Sequence, residues 1–401
     1  MDKLDQIFDS FATSNLFRNK SVLQSNYSPE TILHRSEQVE NIASILGPTL
    51  TGERASNLFL YGKTGTGKTL SARYVSDKLE TKVKSAGLAR LKFLYINCKS
   101  KKVSDTEYRI IAELITQLGG KVPATGLPTD AVYSKFIDMI DSRKQIIVLI
   151  LDEVDQAVKK ISDNFIYTLT RVNSELKNAQ ISLVGISNSL TFMDNLDPRV
   201  RSSLGEEEII FPPYNALQLR DILTERAKTA FSEGVLGEGV IAKCAAYAAR
   251  EHGDARRALD LLRVAGEIAV REGGNKVNLS HIDTANQKIE RDKMLDVIES
   301  EPTQFQLVLH SIMLLDKDKS YGTIFTGDVY NIYQDVCERT KNEVLTQRRV
   351  SDILAEFDML GIINARVISK GRQGRTREIK LSLSSNIKEK AGDILKKALD
   401  L

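Results

Sequence analysis

The sequence predicts an α/β phosphate-loop base domain with a parallel sheet, then an all-helical lid domain, then a C-terminal winged helix. A glycine-rich loop joins a buried strand to a helix, apolar runs alternate with helical patterns in the first half of the chain, and a basic hairpin follows two helices near the end. The predicted boundaries are 1–214 for the base, 215–294 for the lid and 295–401 for the winged helix. A chain of 401 residues is long enough for two or three such domains.

Composition and charge exclude several classes of protein. The chain is 42% hydrophobic and 27% charged, with a formal net charge of +3, so the balance alone does not indicate nucleic-acid binding. Three scattered cysteines (Cys98, Cys244 and Cys337) and four scattered histidines predict neither a disulfide framework nor a zinc site. The sequence opens without a signal-peptide pattern and no apolar run reaches about 18 residues. We therefore expect a cytoplasmic protein that does not span a membrane.

A phosphate-binding loop follows the apolar strand Leu58–Tyr61. It matches G-x-x-x-x-G-K-[ST] and consists of Gly62, Lys63, Thr64, Gly65, Thr66, Gly67, Lys68 and Thr69. Its backbone N–H groups would surround the phosphates at the N-terminus of a helix that continues through Leu70. We expect Lys68 to reach the β- and γ-phosphates and the Thr69 hydroxyl to ligate Mg²⁺. The alternative is a chance glycine-rich turn, and the order of strand, loop and helix argues against it.

Further strands are predicted at 93–96, 146–151 and 182–187, and two carboxylates follow the strand at 146–151. Asp152 would hold Mg²⁺, directly or through water, and Glu153 would polarise the water that attacks the γ-phosphate. The other interpretation is an acidic helix N-terminus, which the helix dipole favours. The phosphate loop favours the catalytic interpretation. Glu153 also favours hydrolysis over binding alone, because binding needs only the magnesium ligand.

Several later residues are candidates for contact with the γ-phosphate. Asn188 follows the strand at 182–187 and would orient the attacking water or contact the phosphate, although asparagine is also a common turn residue. Arg199 and Arg201 would reach a neighbouring subunit's nucleotide as an arginine finger or form structural ion pairs, and we favour Arg199 as the finger. Arg256 lies in the first turn of a helix that Asp254 would cap. A cation there opposes the helix dipole, which indicates an anionic partner.

The C-terminal region predicts a helix at 305–315, a second helix at 346–360 and a basic hairpin. The second helix carries Gln347, Arg348 and Arg349 near its start, where a recognition helix reads the major groove. Between positions 366 and 380 one acidic residue lies among the basic residues Arg366, Lys370, Arg372, Arg375, Arg377 and Lys380. We predict that the helix and the wing bind DNA. A solubilising hairpin or a protein-docking winged helix is the alternative.

In combination, these motifs resemble the archaeal replication initiators, which are AAA+ ATPases related to the eukaryotic origin recognition complex and the cell-division-cycle loader. The resemblance covers nearly the whole chain. It rests on the phosphate loop, the winged helix and four further motifs: Leu151–Asp155, Asn188, Asp197–Val200 and Gly253–Asp260. Many NTPases share the phosphate loop, but Gly-Asp-Ala-Arg-Arg at 253–257 followed by a winged helix is far more restrictive.

The resemblance implies that the protein binds ATP or ADP with Mg²⁺ and hydrolyses ATP slowly, as a switch. Lys68 and Thr69 would belong to the first nucleotide motif, and Asp152 and Glu153 to the second. Two sensors would contact the nucleotide, Asn188 from the base and Arg256 from the lid. His34, Arg35 and Tyr214 would lie near the adenine and ribose. Residues 102–127 would form the insertion with which initiators also touch origin DNA.

The implied function is that of a nucleoid-associated initiator that binds double-stranded origin DNA and helps to recruit and load the replicative helicase. Other initiator paralogues are implied as further partners. One alternative is an AAA+ clamp-loader subunit, which would carry an oligomerising helical collar in place of a basic winged helix. A second alternative is a nucleotide-gated transcription regulator, whose winged helix acts at promoters. The three hypotheses share the nucleotide site and differ in what the C-terminal region contacts.

Overall fold

The computed structural model describes residues 15–25, 27–86, 91–100, 106–123, 126–318, 322–369 and 375–401. The chain forms two compact units, Met1–Ile282 and Asp283–Leu401. The first unit holds the predicted base together with most of the predicted lid, and the second contains the winged helix. Within the described ranges no helix is long and apolar enough to cross a membrane. All three cysteines are buried free thiols.

A parallel five-stranded sheet lies at the centre of the first unit, with the strand order β2-β3-β4-β1-β5. The strands are β1 (Asn57–Tyr61), β2 (Leu91–Asn97), β3 (Gln145–Asp152), β4 (Ala179–Ser187) and β5 (Glu206–Ile210). The residues of β1 and β3 are buried throughout, which the continuous apolar runs predict for strands covered on both faces. Because β3, β4 and β1 are neighbours, the residues that follow them emerge side by side at the carboxyl edge of the sheet.

The strand β5 was not predicted from the sequence. It begins with three glutamates and lies at the edge of the sheet, where it pairs with β1. Ile209 is 7% exposed whereas its neighbour Ile210 is 61% exposed, so β5 lacks the buried apolar run by which the other strands were recognised. An edge strand tolerates charged residues because one side of it stays in water.

Helices cover both faces of the sheet. The base contains α1 (Ser36–Leu46), α2 (Lys68–Ser85), α3 (Glu107–Gln117), α4 (Thr129–Asp141), α5 (Val154–Lys160), α6 (Asn164–Arg171) and α7 (Pro198–Leu204). On one face, α1 and α2 pack against the sheet through a core that includes Ile42 and Val75. On the other face, α3 to α7 bury a second core that includes Phe136 and Phe165. The result is the three-layer α/β arrangement that the alternation of elements predicts.

The lid is formed by α8 (Ala216–Ala230), α9 (Val240–Arg250), α10 (Ala255–Arg271) and α11 (Leu279–Ser300), which continues past the boundary between the units. The segment around the short 3₁₀ helix Lys20–Leu23 packs on these helices, although the sequence placed it with the base. The Phe17 ring lies 4.7 Å from that of Phe231, and Lys20 Nζ lies 2.6 Å from the Glu267 carboxylate. Val22 and Leu23 are buried. Such short apolar pairs carry no period from which their burial could be recognised.

The second unit is a winged helix. Its elements are α12 (Thr303–Lys317), β6 (Ile324–Phe325), α13 (Thr326–Arg339), α14 (Gln347–Met359), β7 (Ile363–Ser369), β8 (Arg375–Leu381) and α15 (Ser385–Leu399). The strands form an antiparallel sheet in the order β6-β8-β7. Of the apolar positions that follow helical spacing at 346–360, Val350, Ile353, Leu354 and Phe357 are buried, whereas Leu360, directly after α14, is 41% exposed. The helices α13 and α15 and the two-residue strand β6 were not predicted.

Close packing inside the sheet gives the first prediction. Gly185 on β4 lies opposite Phe59 on β1, and a Cβ atom at position 185 would lie 2.2 Å from the Phe59 ring. Gly185→Ala should therefore lower the free energy of unfolding by about 1–3 kcal/mol through overpacking. Gly47→Ala is the matched control, because its Cβ would meet nothing within 4 Å. Urea denaturation compares the two variants, and equal stabilities would contradict the packing described here.

Candidate functional site

The phosphate loop turns from β1 into α2 through glycines in the left-handed backbone region. The φ angles of Gly65 and Gly67 are 73° and 96°, values that cost a residue with a Cβ atom free energy. A Cβ atom at Gly65 would also collide with the Asp254 carboxylate, and one at Gly67 would lie 2.9 Å from the Tyr214 hydroxyl. The loop is thus closely covered by residues from the lid and from the base–lid connection. Side chains cannot be added there without moving these neighbours.

The Lys68 ammonium connects the segments that follow two neighbouring strands, β1 and β4. It donates to Gly62 O at 2.7 Å, to Lys63 O at 2.8 Å and to Asn188 Oδ1 at 3.0 Å. Its side chain is buried, and burial, opposed by Asp152 and supported by Arg256, lowers the pKa of Lys68 to about 8. A phosphate oxygen that accepts from Lys68 would take the place of one of these acceptors. Asn188 reaches the lysine because it follows β4, the neighbour of β1 in the sheet.

Thr69 and Asp152 form the pair predicted to hold Mg²⁺. Thr69 Oγ1 donates to Asp152 Oδ2 at 2.9 Å, and the backbone N–H of Glu153 donates to Asp152 Oδ1 at 3.0 Å. A hydroxyl and a carboxylate suit Mg²⁺, which prefers oxygen ligands and takes few of them from the protein. In the described part of the chain no group of three or more acidic, histidine or cysteine side chains could hold a metal, so phosphate and water would supply the remaining ligands.

Tyr95 on β2 is a site residue that the sequence reasoning missed. Its hydroxyl donates to Asp152 Oδ2 at 2.6 Å, and its ring lies under the Arg73 guanidinium, 4.1 Å from Cζ to the ring centroid. Burial and the neighbouring Asp152 raise the pKa of Tyr95 to about 12, which keeps the proton on the phenol. No motif marks the position. Only the pairing of Asn97 with Asp152 at the ends of β2 and β3 brings Tyr95 to the site.

Glu153 adopts a left-handed conformation with a φ of 55°, which turns the chain sharply between β3 and α5. Its side chain is 23% exposed, and its Oε2 lies 3.9 Å from Lys99 Nζ. Strained backbone at a non-glycine residue is typical of positions where a side chain has to be aimed. Glu153 lines the same cavity as Asp152 and Asn188, where a water next to a bound phosphate would lie within its reach.

The lid contacts the phosphate loop directly through the N-terminus of α10. Ala255 N–H donates to Gly65 O at 3.2 Å, and the Asp254 carboxylate caps the helix by accepting from Arg256 N–H at 2.7 Å. Arg256 lines the cavity and lies close enough to Lys68 to lower the pKa of the lysine. Two cations that face one cavity suit a polyphosphate, because each disfavours the charged form of the other unless an anion lies between them.

One cavity of about 610 Å³ brings most of the predicted nucleotide residues together. It is lined by Thr64, Gly65, Thr66, Gly67, Lys68, Thr69, Leu70, Asp152, Glu153, Asn188, Tyr214 and Arg256. The carbonyls of Gly62 and Lys63 face Lys68 from behind the loop. Away from the carboxylates the lining includes Tyr27, Ile32, Leu33 and Ile222, none of which the sequence reasoning singled out, together with polar and charged side chains such as Glu225 and Arg226. Phosphate-binding groups in one cavity with apolar and aromatic side chains suit a phosphorylated nucleoside.

The structure places His34 and Arg35 outside the lining of this cavity, and their position near the adenine and ribose stays a prediction. Arg35 is 2% exposed and lies behind the loop, where Nε donates to Thr66 O at 2.9 Å and NH2 donates to Pro212 O. Its guanidinium stacks on Tyr214, with Cζ 3.9 Å from the ring centroid. His34 Nε2 lies 3.1 Å from Asp221 Oδ2 on α8. A sequence motif places residues near a loop but does not tell which side of it they occupy.

Arg199 and Arg201 also lie outside the cavity of their own chain. Arg199 Nε pairs with Asp197 Oδ1 at 3.2 Å, and Arg201 NH1 pairs with Asp194 Oδ1 at 3.4 Å. The Arg199 side chain is 85% exposed, so a neighbouring protein could reach it. An exposed pair of this kind contributes little to stability. The role of Arg199 as a finger in trans stays a prediction.

In the winged helix, Gln347, Arg348 and Arg349 are exposed in the first turn of α14, and Arg366 is exposed on β7. Arg377 is a correction, because its side chain is half-buried and NH1 donates to the Ser351 carbonyl of α14. It ties the hairpin to the helix and is not projected into solvent. The structure does not describe the side chains of three residues that are predicted to contact DNA. Lys370 and Arg372 lie outside the described residues, as does the side chain of Arg375.

Comparisons with known proteins agree on one family. Models described as "CDC6, C terminal winged helix domain", "Cdc6 AAA+ ATPase-type lid domain" and "AAA domain" match residues 296–391, 220–287 and 51–193. The ORC1-type DNA replication protein of Thermococcus onnurineus is 51% identical over 386 residues, which are 95% of this chain and 92% of that protein. The chain belongs to the ORC1-type DNA replication proteins. ORC1-type DNA replication protein 1 of Methanosarcina mazei is 50% identical over 382 residues, which are 95% of this chain and 91% of that protein.

Solved structures of ORC1-type proteins show the same fold. The structure of the Aeropyrum pernix ORC1 protein in complex with DNA is 44% identical, with a TM-score of 0.82 over 96% of this chain and 97% of that one. Cdc6p from Pyrobaculum aerophilum shares the fold at 23% identity and a TM-score of 0.60, over 96% of this chain and all of that one. The predicted family and fold class are confirmed. This ORC1-type protein is a replication initiator of the AAA+ ATPase class.

The position of Arg35 gives the second prediction. Arg35→Met removes the donors of the Thr66 and Pro212 carbonyls, which should lower the free energy of unfolding by about 1–3 kcal/mol in the absence of nucleotide. Because Arg35 does not line the cavity, affinities for ATP and GTP should fall by the same factor. Urea denaturation and competitive nucleotide titration measure the two effects. Arg143→Met, at an exposed arginine of the same unit, is the control. Altered base selectivity at unchanged stability would contradict the prediction.

Proposed function

We propose that this ORC1-type protein is an ATP-regulated initiator that binds and marks replication-origin DNA and helps to recruit and load the replicative helicase. The observation that carries the proposal is the presence in one chain of a nucleotide cavity with both sensors and a winged helix with an exposed basic recognition helix. The solved structure of the Aeropyrum pernix ORC1 protein contains DNA and is 44% identical to this chain. A clamp-loader subunit is disfavoured, because residues 296–391 match a winged helix.

At the nucleotide site, each side chain has a role that follows from its position. The loop N–H groups and Lys68 bind the phosphates, and Arg256 approaches them from the lid. Thr69 and Asp152 would hold Mg²⁺, which neutralises charge on the phosphate oxygens when it is bound. Glu153 is the base that orients the attacking water and accepts its proton. Asn188 holds Lys68 in place and is near enough to contact the γ-phosphate.

ATP hydrolysis in this proposal is a slow switch that sets the lid angle. The N-terminus of α10 lies on the phosphate loop, through the bond from Ala255 N–H to Gly65 O. Arg256 is the next residue of α10 and is the group through which the lid would detect the γ-phosphate. Loss of that phosphate removes an anion from between Arg256 and Lys68. The ATP-bound and ADP-bound states therefore favour different lid positions.

DNA binding would use two parts of the chain. The first turn of α14 presents Arg348 and Arg349 for the major groove, and the hairpin that follows supplies a wing. The insertion at 102–127, which contains α3, would be a second contact with DNA. Arg199 would act in trans on the nucleotide of another initiator paralogue. The remaining alternative is a transcription regulator with the same two activities, which differs in binding promoters in place of origins.

The roles of Glu153 and Lys68 give the third prediction. Glu153→Gln should keep ATP affinity within about twofold and reduce turnover by at least about a hundredfold, since general-base catalysis contributes that much. Lys68→Ala is the matched comparison and should lose ATP binding itself. Fluorescent nucleotide titration measures binding, and single-turnover phosphate release measures chemistry. Undiminished turnover in Glu153→Gln would show that another residue positions the water.

The DNA proposal gives the fourth prediction. Arg348→Ala should weaken binding to an origin fragment. If Arg348 contacts a phosphate, the slope of log affinity against log salt should become less steep by about 0.9. If Arg348 reads a base, the preference for origin over shuffled DNA should fall. Fluorescence anisotropy with ATP and with ADP measures both quantities. Lys397→Ala removes the same charge from an exposed position on α15 and should change neither. Equal affinity of the unaltered protein for origin and shuffled DNA would overturn the proposed origin recognition.

A further inference from the structure

The Asp152 carboxylate is held by three hydrogen bonds, and one comes from outside the nucleotide motifs. Glu153 N–H binds Oδ1, whereas Oδ2 accepts from both Thr69 Oγ1 and Tyr95 OH. The distance of 2.6 Å from the Tyr95 hydroxyl to Oδ2 is that of a phenol donating to a charged carboxylate. It is shorter than the Thr69 bond, at 2.9 Å. Tyr95 therefore holds the oxygen that also faces the threonine.

Tyr95 is itself fixed from two sides. β2 is an edge strand, and the side-chain amide of Gln117 on α3 takes the place of a missing neighbour strand. Gln117 Oε1 accepts from Tyr95 N–H at 3.2 Å, and Gln117 Nε2 donates to Tyr95 O at 2.9 Å. Above the ring, Arg73 packs against the aromatic face. Backbone and ring are thus both held, so the hydroxyl has a defined position.

This arrangement bears on the Thr69 hydroxyl, which has one proton and two lone pairs. A hydroxyl that ligates a cation offers a lone pair to it and has to direct its proton elsewhere. Asp152 Oδ2 is the acceptor of that proton. The last torsion of an aspartate is soft, and the Glu153 bond to Oδ1 alone would leave Oδ2 free to move about it. Tyr95 removes that freedom.

We propose that Tyr95 is a positioning residue for Mg²⁺. Its hydroxyl holds the Asp152 carboxylate so that Thr69 presents a lone pair to the ion. The inference rests on the proposed Mg²⁺–nucleotide site and adds a residue that neither nucleotide motif contains. Tyr95 touches neither the ion nor the phosphates in this role. It acts only through Asp152, as outer hydrogen-bond partners of metal ligands do.

Tyr95→Phe tests the proposal, because it deletes the hydroxyl and keeps the ring beneath Arg73. The affinity for a fluorescent derivative of ATPγS is measured across a Mg²⁺ titration, with an EDTA arm that contains no divalent cation. The variant should bind as tightly as the unaltered protein in EDTA. The Mg²⁺ concentration at half-effect should rise about tenfold, as loss of such a partner typically weakens metal affinity. The midpoint of thermal unfolding should stay the same.

Tyr108→Phe is the matched control, since its hydroxyl donates to Pro123 O, away from the cavity lining. It should titrate with Mg²⁺ like the unaltered protein. A Tyr95→Phe midpoint within about twofold of the unaltered protein would overturn the proposal, and so would an equal loss of affinity with and without Mg²⁺, which marks a purely structural role. If the unaltered protein itself binds nucleotide without regard to Mg²⁺, the proposed Mg²⁺ site is wrong and the inference falls with it.

Discussion

The hydrogen bond from the Lys68 ammonium to Asn188 depends on the order of the strands. Lys68 follows β1, and its acceptor Asn188 follows β4, which is paired with β1. Asp152 ends β3, the next strand in the sheet, and accepts a bond from Thr69 of α2. Residues more than 80 positions apart thus meet because parallel strands release them at a common edge. Any change in strand order would separate the lysine, the asparagine and the acidic pair.

The lid depends on the same loop. Arg35 holds Thr66 O and Pro212 O from behind, and Tyr214 lies between this arginine and the lid. Tyr214 N–H donates to Gly253 O at 3.3 Å, and Gly253 precedes the Asp254 cap that lies against Gly65. The connection from base to lid therefore wraps around the phosphate loop. A nucleotide that rearranges the loop acts on the hinge and on the lid helix together.

Motifs with a fixed spacing were predictable from the sequence, and residues that reach the site through tertiary packing were not. Lys68, Asp152 and Arg256 each stand in a local pattern whose chemistry requires that residue type, and they line one cavity. Tyr95 stands in an ordinary apolar strand, and only the β2–β3 pairing identifies it. Arg35 was named by resemblance, but its bonds to Thr66 O and Pro212 O could not be predicted from the sequence. Arg377 counted as a surface charge until its bond to Ser351 was visible.

The path from Gln117 through Tyr95 to Asp152 connects α3 physically with the nucleotide site. Gln117 is the last residue of α3, which lies within the predicted insertion, and it binds both backbone polar groups of Tyr95. β2 pairs with β3 on one side, and in the described sheet α3 rather than a second strand holds Tyr95 on the other side. A shift of this helix would therefore change the hold on Asp152, whereas the same shift beside a central strand would be absorbed by the ladder on either side. Because β2 lies at the edge of the sheet, the bonds from Gln117 are the contacts through which a shift of α3 would reach Tyr95 and the Asp152 carboxylate.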